Sequence, residues 1–200
     1  MTIEEPSLRH PQHLKYWLRC FKTLIPSHYT SADSSRLSLV YFTISALDIL
    51  GYEFSQLDRS NSIAWIYSLQ HPKGGFRSSP SIDLSPPYLC IGQIPSDERG
   101  RWDQPDLPGT FFALICLGIL RDDFRRLERI HCLHWLRSLQ RTDGSFGDFL
   151  GPDGQIAGGA DSRFSYFAAA VRWILRPQPG HDIKARDLQR WVLDSEVCLK

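Results

Sequence analysis

Two histidines, His131 and His134, stand three residues apart, a spacing at which a helix turns both imidazoles to one side, where they could share a metal ion. No third donor is evident near them, and they read as surface residues of a helix. Asp122-Asp123 resembles an acidic pair for magnesium, but it falls in a turn just ahead of a helical pattern. Carboxylates there cap free N–H groups and complement the helix dipole. Gly144, Gly147, Gly151, Gly154, Gly158 and Gly159 match no phosphate-cradling spacing and follow no strand, so they read as turn glycines. Arg163, two residues after Asp161, carries a guanidinium that keeps its charge and needs an anionic or carbonyl partner wherever it is buried. The five cysteines, Cys20, Cys90, Cys116, Cys132 and Cys198, are odd in number and form no C-x-x-C pair, as expected of reduced thiols. Cys116 and Cys132 sit inside helical patterns and read as packing residues.

Length and charge narrow the setting. Two hundred residues with 42% apolar and 12% aromatic content suit one domain with a sizeable core. The 23 basic and 22 acidic residues nearly cancel, so no overall field draws the chain to nucleic acid or an acidic membrane. No stretch approaches the roughly 18 apolar residues of a membrane helix, and Met1 to Pro11 holds Glu4 and Glu5 rather than an apolar signal core. The default compartment is the cytoplasm.

The elements that must position these groups are copies of one another. Trp65-Ile66-Tyr67-Ser68-Leu69-Gln70 with Gly74-Gly75-Phe76 recurs as Trp135-Leu136-Arg137-Ser138-Leu139-Gln140 with Gly144-Ser145-Phe146, seventy residues on. The same offset pairs Tyr41 with Phe111, Phe42 with Phe112, Ile44 with Leu114 and Leu47 with Leu117. A repeat of this length predicts an array of supersecondary units. Each unit reads as two helices. The first, about 34–50, is apolar nearly all round, with Asp33 or Ser34 as its cap and Gly51 as its left-handed stop. The second, about 61–70, is short and amphipathic. The second unit repeats this over 110–120 and 124–140. A third begins at Asp161 and continues with a helix over 182–193 that brings Trp191 to the place of Trp65 and Trp135. Ahead of the array, 11–24 reads as a helix with Leu14, Trp17, Leu18 and Phe21 on one face. Seven prolines within 71–108 predict an irregular insertion at about 77–107, a surface excursion with a poorly ordered tip at 78–103.

The run from Ser35 to Gly51, the Trp65 to Gln70 block and the Asp161-Ser162-Arg163-Phe164-Ser165-Tyr166 block together resemble β subunits of protein prenyltransferases, and the first block is most similar to the type I geranylgeranyl enzyme. The stretch from His13 to Tyr29 also resembles that family. The likeness spans nearly the whole chain apart from the insertion and the last few residues. It implies an all-α fold, an α/α toroid of helical hairpins, here an incomplete ring over 1–200. It further implies a heterodimer with a prenyltransferase α subunit that moves a 20-carbon isoprenoid from geranylgeranyl diphosphate to the cysteine of a C-terminal CaaX sequence. By motif position, Ser38, Phe42, Phe111 and Tyr166 match residues lining the isoprenoid and peptide pocket, and Arg163 matches an arginine facing the central cavity. Farnesyl-specific relatives carry a bulky aromatic at the Ser38 position, so the serine implies room for a fourth isoprene unit. Read from the residues alone, Phe42, Phe111 and Tyr166 serve equally as core aromatics, and Arg163 could pair with Asp161.

The family also implies zinc, held by an Asp-x-Cys pair and a distant His in its back half together with the diphosphate-binding groups; those motifs are absent from these 200 residues. Glu196-Val197-Cys198 echoes Asp-x-Cys only superficially, lying too early in the repeat order. Two other readings stand beside the enzyme subunit. One is a non-catalytic helical-repeat scaffold binding a partner or lipid tail; the other is a terpene-cyclase-like toroid, against which the Asp161 to Tyr166 block and the missing Asp-rich cyclase motif argue. The purified 200-residue chain is expected to show no transferase activity. Zinc-dependent prenylation of a Leu-ending CaaX peptide by this chain alone would overturn that expectation.

Overall fold

The structure, a computed structural model, describes residues 8–23, 27–80 and 104–197. Seven α-helices lie among the described residues: α1 (His10–Lys22), α2 (Arg36–Ile49), α3 (Gln56–Ser68), α4 (Leu107–Ile119), α5 (Arg129–Ser138), α6 (Ser162–Leu175) and α7 (Ala185–Val197). Short 3-10 helices occupy Ser27–Ser35 and Pro179–His181, and a two-stranded antiparallel ribbon joins β1 (Phe149–Leu150) to β2 (Ile156–Ala157). Three helical pairs, α2–α3, α4–α5 and α6–α7, stand in sequence. The first members pack side by side, α2 on α4 and α4 on α6, while α1 covers α2. This is the expected α/α toroid architecture. Among the described residues no helix is long and apolar enough to cross a membrane.

Burial follows position in the row. Helix α4, flanked on both sides, buries Leu107, Phe111, Ala113, Leu114, Cys116 and Leu117. Helix α2 is less enclosed than its apolar sequence predicts, with Leu39, Phe42 and Ile49 exposed. On its far side the amphipathic α1 packs, through Leu14, Trp17, Leu18 and Phe21. Burial pushes the Cys116 and Cys132 thiols up to about 12, which leaves them inert packing groups. Cys20 is exposed; Cys90 and Cys198 lie outside the described residues, as do residues 24–26 and positions 81–103 of the expected tip at 78–103, whereas Ser78 and Ser79 at its start are buried.

Four helix starts differ from the pattern reading, each where a particular side chain takes up hydrogen bonds that periodicity does not register. Helix α3 begins at Gln56 rather than Asn61, since Ser55 accepts a hydrogen bond from Asp58 N at 3.1 Å. Helix α4 begins at Leu107, capped by Asp106, which accepts from Gly109 N at 2.7 Å. The Asp122-Asp123 pair does not cap α5. Asp122 accepts from Phe124 N and Asp123 from Arg125 N, folding a separate turn with Phe124 in the left-handed region, φ 57°. Asp182 is drawn off to Arg172 through two 2.6 Å bonds, so α7 starts at Ala185. Neither Asp33 nor Ser34 caps α2; Asp33 pairs with Arg36, and the N-cap Ser35 makes no side-chain cap. Gly51 (φ 71°) does end α2, donating to Asp48 O.

The repeat motif turns out to be the joint between units. Gln70 Oε1 accepts from Glu128 N at 3.0 Å and its Nε2 donates to Arg126 O at 3.2 Å. Gln140 does the same one unit later, accepting from Lys184 N at 2.8 Å and donating to Lys184 O at 3.1 Å. Beside each glutamine a glycine turn presses on the next outer helix. A β-carbon on Gly74 (φ 105°) would fall 2.2 Å from His131 O, and one on Gly144 (φ 95°) 2.2 Å from Asp187 O. Trp135 lies over the first of these turns, next to Gly75, and is 4% exposed. Trp65 and Trp191 are only half-buried.

Gly74→Ala and Gly144→Ala are each expected to destabilise the chain by about 2–4 kcal/mol, because strained φ and a backbone clash coincide. Gly118→Ala, in open space within α4, should stabilise it by about 0.5–1 kcal/mol. Urea denaturation of the three variants checks the order; equal midpoints for Gly74→Ala and Gly118→Ala would contradict it.

Candidate functional site

The inner helices α2, α4 and α6 have Ser35, Asp106 and Asp161 at their N-cap positions and run side by side, so residues at similar distances from those positions come close to one level. At the first turn of α2, half-buried Ser38 borders a cavity of about 230 Å³ together with Ser35, Ser78, Asp106 and Asp148. Pro108 and Phe149 add apolar wall to it, and Phe42, Phe111 and Tyr166 do not line it. Asp106 is fully engaged: it accepts from Ser78 N at 2.8 Å, Ser78 Oγ at 2.6 Å and Gly109 N. Asp148 is not, since its buried Oδ1 has no partner. Burial, then the neighbouring Asp106 charge, pushes the Asp148 carboxyl up to about 6. Asp106 is also raised, by burial. These two carboxylates could not be paired from sequence, because they lie more than forty positions apart in chain segments that meet only through folding.

About one turn further in, six aromatic rings from the three inner helices meet. Tyr41 lies 4.8 Å from Phe112 between centroids, Phe42 6.3 Å from Phe112, Phe111 4.8 Å from Phe167, and Phe111 5.5 Å from Tyr166. Such offset and edge contacts favour a fixed array. The structure therefore brings together three of the five predicted site residues and separates their roles. Phe111 is buried, 5% exposed, within the array, whereas Phe42 and Tyr166 present 54% and 62% of their surface. Two large rings left this open cannot be core residues, and they form the accessible part of the array. Tyr41, Phe112 and Phe167 complete it; two of them were visible in the seventy-residue register, and Phe167 was hidden by the shorter third unit.

Arg163 stands at the first turn of α6, paired with the capping Asp161. Its Nε and Nη2 reach Asp161 Oδ2 at 3.0 and 2.7 Å, and Asp161 also caps the helix by accepting from Arg163 N at 2.8 Å. The guanidinium holds the Asp161 carboxyl below its ordinary range. The pairing with Asp161 is the alternative that the residues themselves offered. His131 and His134 do not act together: His131 Nδ1 lies 3.6 Å from Glu128, and His134 turns to His181. Among the described residues no three His, Cys, Asp or Glu side chains form a metal-holding group, so they offer no donor set for the zinc that the family resemblance implies. Glu196-Val197-Cys198 has no described side chains.

Helical pairs in one register, glutamine–glycine joints between them and an aromatic inner face define a segment of an α/α toroid. Residues 8–198 match the prenyltransferase alpha-alpha toroid domain, and the chain belongs to that family. It is 32% identical over 178 residues to the geranylgeranyl transferase type-1 subunit beta of Arabidopsis thaliana, covering 86% of this chain and 44% of that one. Against the subunit of the same name from Dictyostelium discoideum it is 30% identical over 180 residues, covering 80% and 48%. It is also 31% identical over 173 residues to the protein farnesyltransferase subunit beta of Schizosaccharomyces pombe, covering 84% and 37%. Among solved structures it resembles Candida albicans protein geranylgeranyltransferase-I complexed with GGPP, with a TM-score of 0.76, 25% identity and coverage of 94% of this chain and 52% of that one. The chain thus spans about half the length of the relatives it matches.

Asp148 binds its proton more tightly in the fold, at about 6, than an unfolded aspartate does at about 3.9. Folding therefore takes up a proton between roughly pH 4 and 6, and this group's contribution to stability falls as pH rises through that window. Asp148→Asn is expected to remove that fall and to exceed the wild type at pH 7 by roughly 1–2 kcal/mol, a value reduced for solvent screening. Parallel urea midpoints of the two proteins across pH 4–7 would contradict it.

Proposed function

We propose that this chain is the isoprenoid-holding part of a type I protein geranylgeranyltransferase β subunit, a cytoplasmic heterodimer with an α subunit that attaches a geranylgeranyl group to CaaX cysteines. The observation that carries this reading is the aromatic array with Phe42 and Tyr166 open to solvent. It is a large apolar surface on the inner helices that a branched polyene could cover. Each methylene equivalent removed from water contributes roughly 0.8 kcal/mol, so a 20-carbon chain gains enough from such a face to be held without charge on the protein. The bound complex of the Candida albicans relative with GGPP and the shared β-subunit relatives favour the geranylgeranyl diphosphate substrate class.

In this reading Phe111 supports the face from behind, Phe42 and Tyr166 touch the isoprenoid, and Ser38 leaves the end of the site wide. Arg163, fixed by Asp161, offers its outward N–H groups to the substrates. Zinc would supply thiolate activation in the family. The described residues have no donor set for it, and their own part is to bind and orient the lipid and to keep water from its apolar surface.

With the chain co-expressed with a prenyltransferase α subunit, Phe42→Ala and Tyr166→Ala are each expected to weaken binding of a fluorescent geranylgeranyl diphosphate analogue by about 5- to 30-fold, the equivalent of about 1–2 kcal/mol. Ser38→Trp should weaken it more than it weakens a farnesyl analogue. Unchanged dissociation constants in both aromatic variants would sink the assignment.

A further inference from the structure

His134 projects from α5 of the second unit, and His181 closes the 3-10 turn Pro179–His181 that follows α6 in the third. Their ring nitrogens, His134 Nε2 and His181 Nδ1, face each other at 2.8 Å, with centroids 4.9 Å apart and ring planes tilted by 40°. The turn is held by His181 N donating to Gln178 O at 2.9 Å and by Arg137 Nη1 donating to Gly180 O at 3.3 Å. The next residue, Asp182, is fixed by Arg172. His134 is solvent-exposed and His181 half-exposed, and neither contributes to the joint between units or to the aromatic face.

We propose that His134 and His181 form a two-imidazole site for a divalent first-row transition metal that takes square-planar geometry, Cu²⁺ above all. Two neutral imidazoles can share only one proton between facing nitrogens, so one lone pair serves a hydrogen bond of modest net worth. A metal ion uses both. Metal–imidazole bonds of about 2.0 Å at the 90° angle of a square plane put the two nitrogens about 2.8 Å apart, whereas a tetrahedral ion needs about 3.3 Å. The hydrogen-bonded nitrogens already stand near the square-plane separation, and both rings must turn towards solvent about their Cβ–Cγ bonds for their lone pairs to meet on one ion. The remaining positions face water. Imidazole donors select Cu²⁺ and Ni²⁺ over Mg²⁺ and Ca²⁺, and Cu²⁺ heads the affinity order. Since the ligands come from successive units, the bound ion would staple the second unit to the third.

The test is titration of the tag-free 200-residue chain with Cu²⁺ at pH 7.5 in a weakly chelating buffer, followed by calorimetry and electron paramagnetic resonance. One tight equivalent with a two-nitrogen spectrum is expected. His134→Gln and His181→Gln should each weaken it roughly tenfold or more, through loss of the chelate, while His131→Gln, one turn away and paired with Glu128, should leave it unchanged. Mg²⁺ should not compete. Retention of tight binding in both His134→Gln and His181→Gln, or equal weakening by His131→Gln, would overturn the proposal. Far-UV circular dichroism identical across the variants establishes that loss of binding is not loss of fold.

Discussion

At Gly74 and Gly144 the main chain runs so close to the next unit's outer helix that a side chain of any size would strike a carbonyl oxygen, His131 O in one case and Asp187 O in the other. The glutamine that precedes each turn then satisfies backbone groups at the start of that same outer helix. Free N–H groups at a helix start need partners, and here the preceding unit supplies one. Each unit therefore completes its successor, and neither half of the joint works without the other. A turn with a β-carbon could not approach, and without the approach the amide would not reach.

The aromatic face is a consequence of that joint. Because successive units are set down at a fixed offset, residues at equal depth along α2, α4 and α6 come level, and pairs of rings that are unremarkable in one helix become six rings in mutual contact. Position in the row then decides their roles. Phe111 sits on the central helix with neighbours on both sides and is buried, whereas Phe42 and Tyr166, on flanking helices, stay open. The same alignment gathers carboxylates near the helix starts. Asp106 is used up as a cap by Ser78 and Gly109, and Asp148 beside it is left with an unpartnered oxygen. A half-buried carboxyl held near 6 next to an engaged one is a local cost to the fold, in keeping with the tendency of such groups to gather at functional clefts.

Much of the fold was legible in the residues. The seventy-residue repeat of Trp65 to Phe76 in Trp135 to Phe146 announced paired helices in an array, and the apolar character of α2 and α4 marked the inner row. The helix starts were less legible, because they were settled by individual side-chain bonds such as Ser55 to Asp58 and Asp182 to Arg172 that periodicity does not register. Of the candidate site, Tyr41, Phe42, Phe111 and Phe112 stood in the register, and the resemblance to protein prenyltransferase β subunits supplied Ser38, Phe42, Phe111, Arg163 and Tyr166 as site residues. The Asp106–Asp148 cavity and the His134–His181 contact carried no signal, since each joins residues about forty to fifty positions apart.

By itself the sequence determined the unit: which stretches are helical, which glycines must turn, and that the pattern returns. Those properties follow from local propensity and from the period of apolar side chains, which a chain carries whether or not it is folded. Only the tertiary structure decided which of the like residues are buried and which stay open to solvent. Exposure, cavity walls and the distance between two imidazoles depend on how units are set against one another, and that arrangement is made by contacts across turns of the array rather than along the chain.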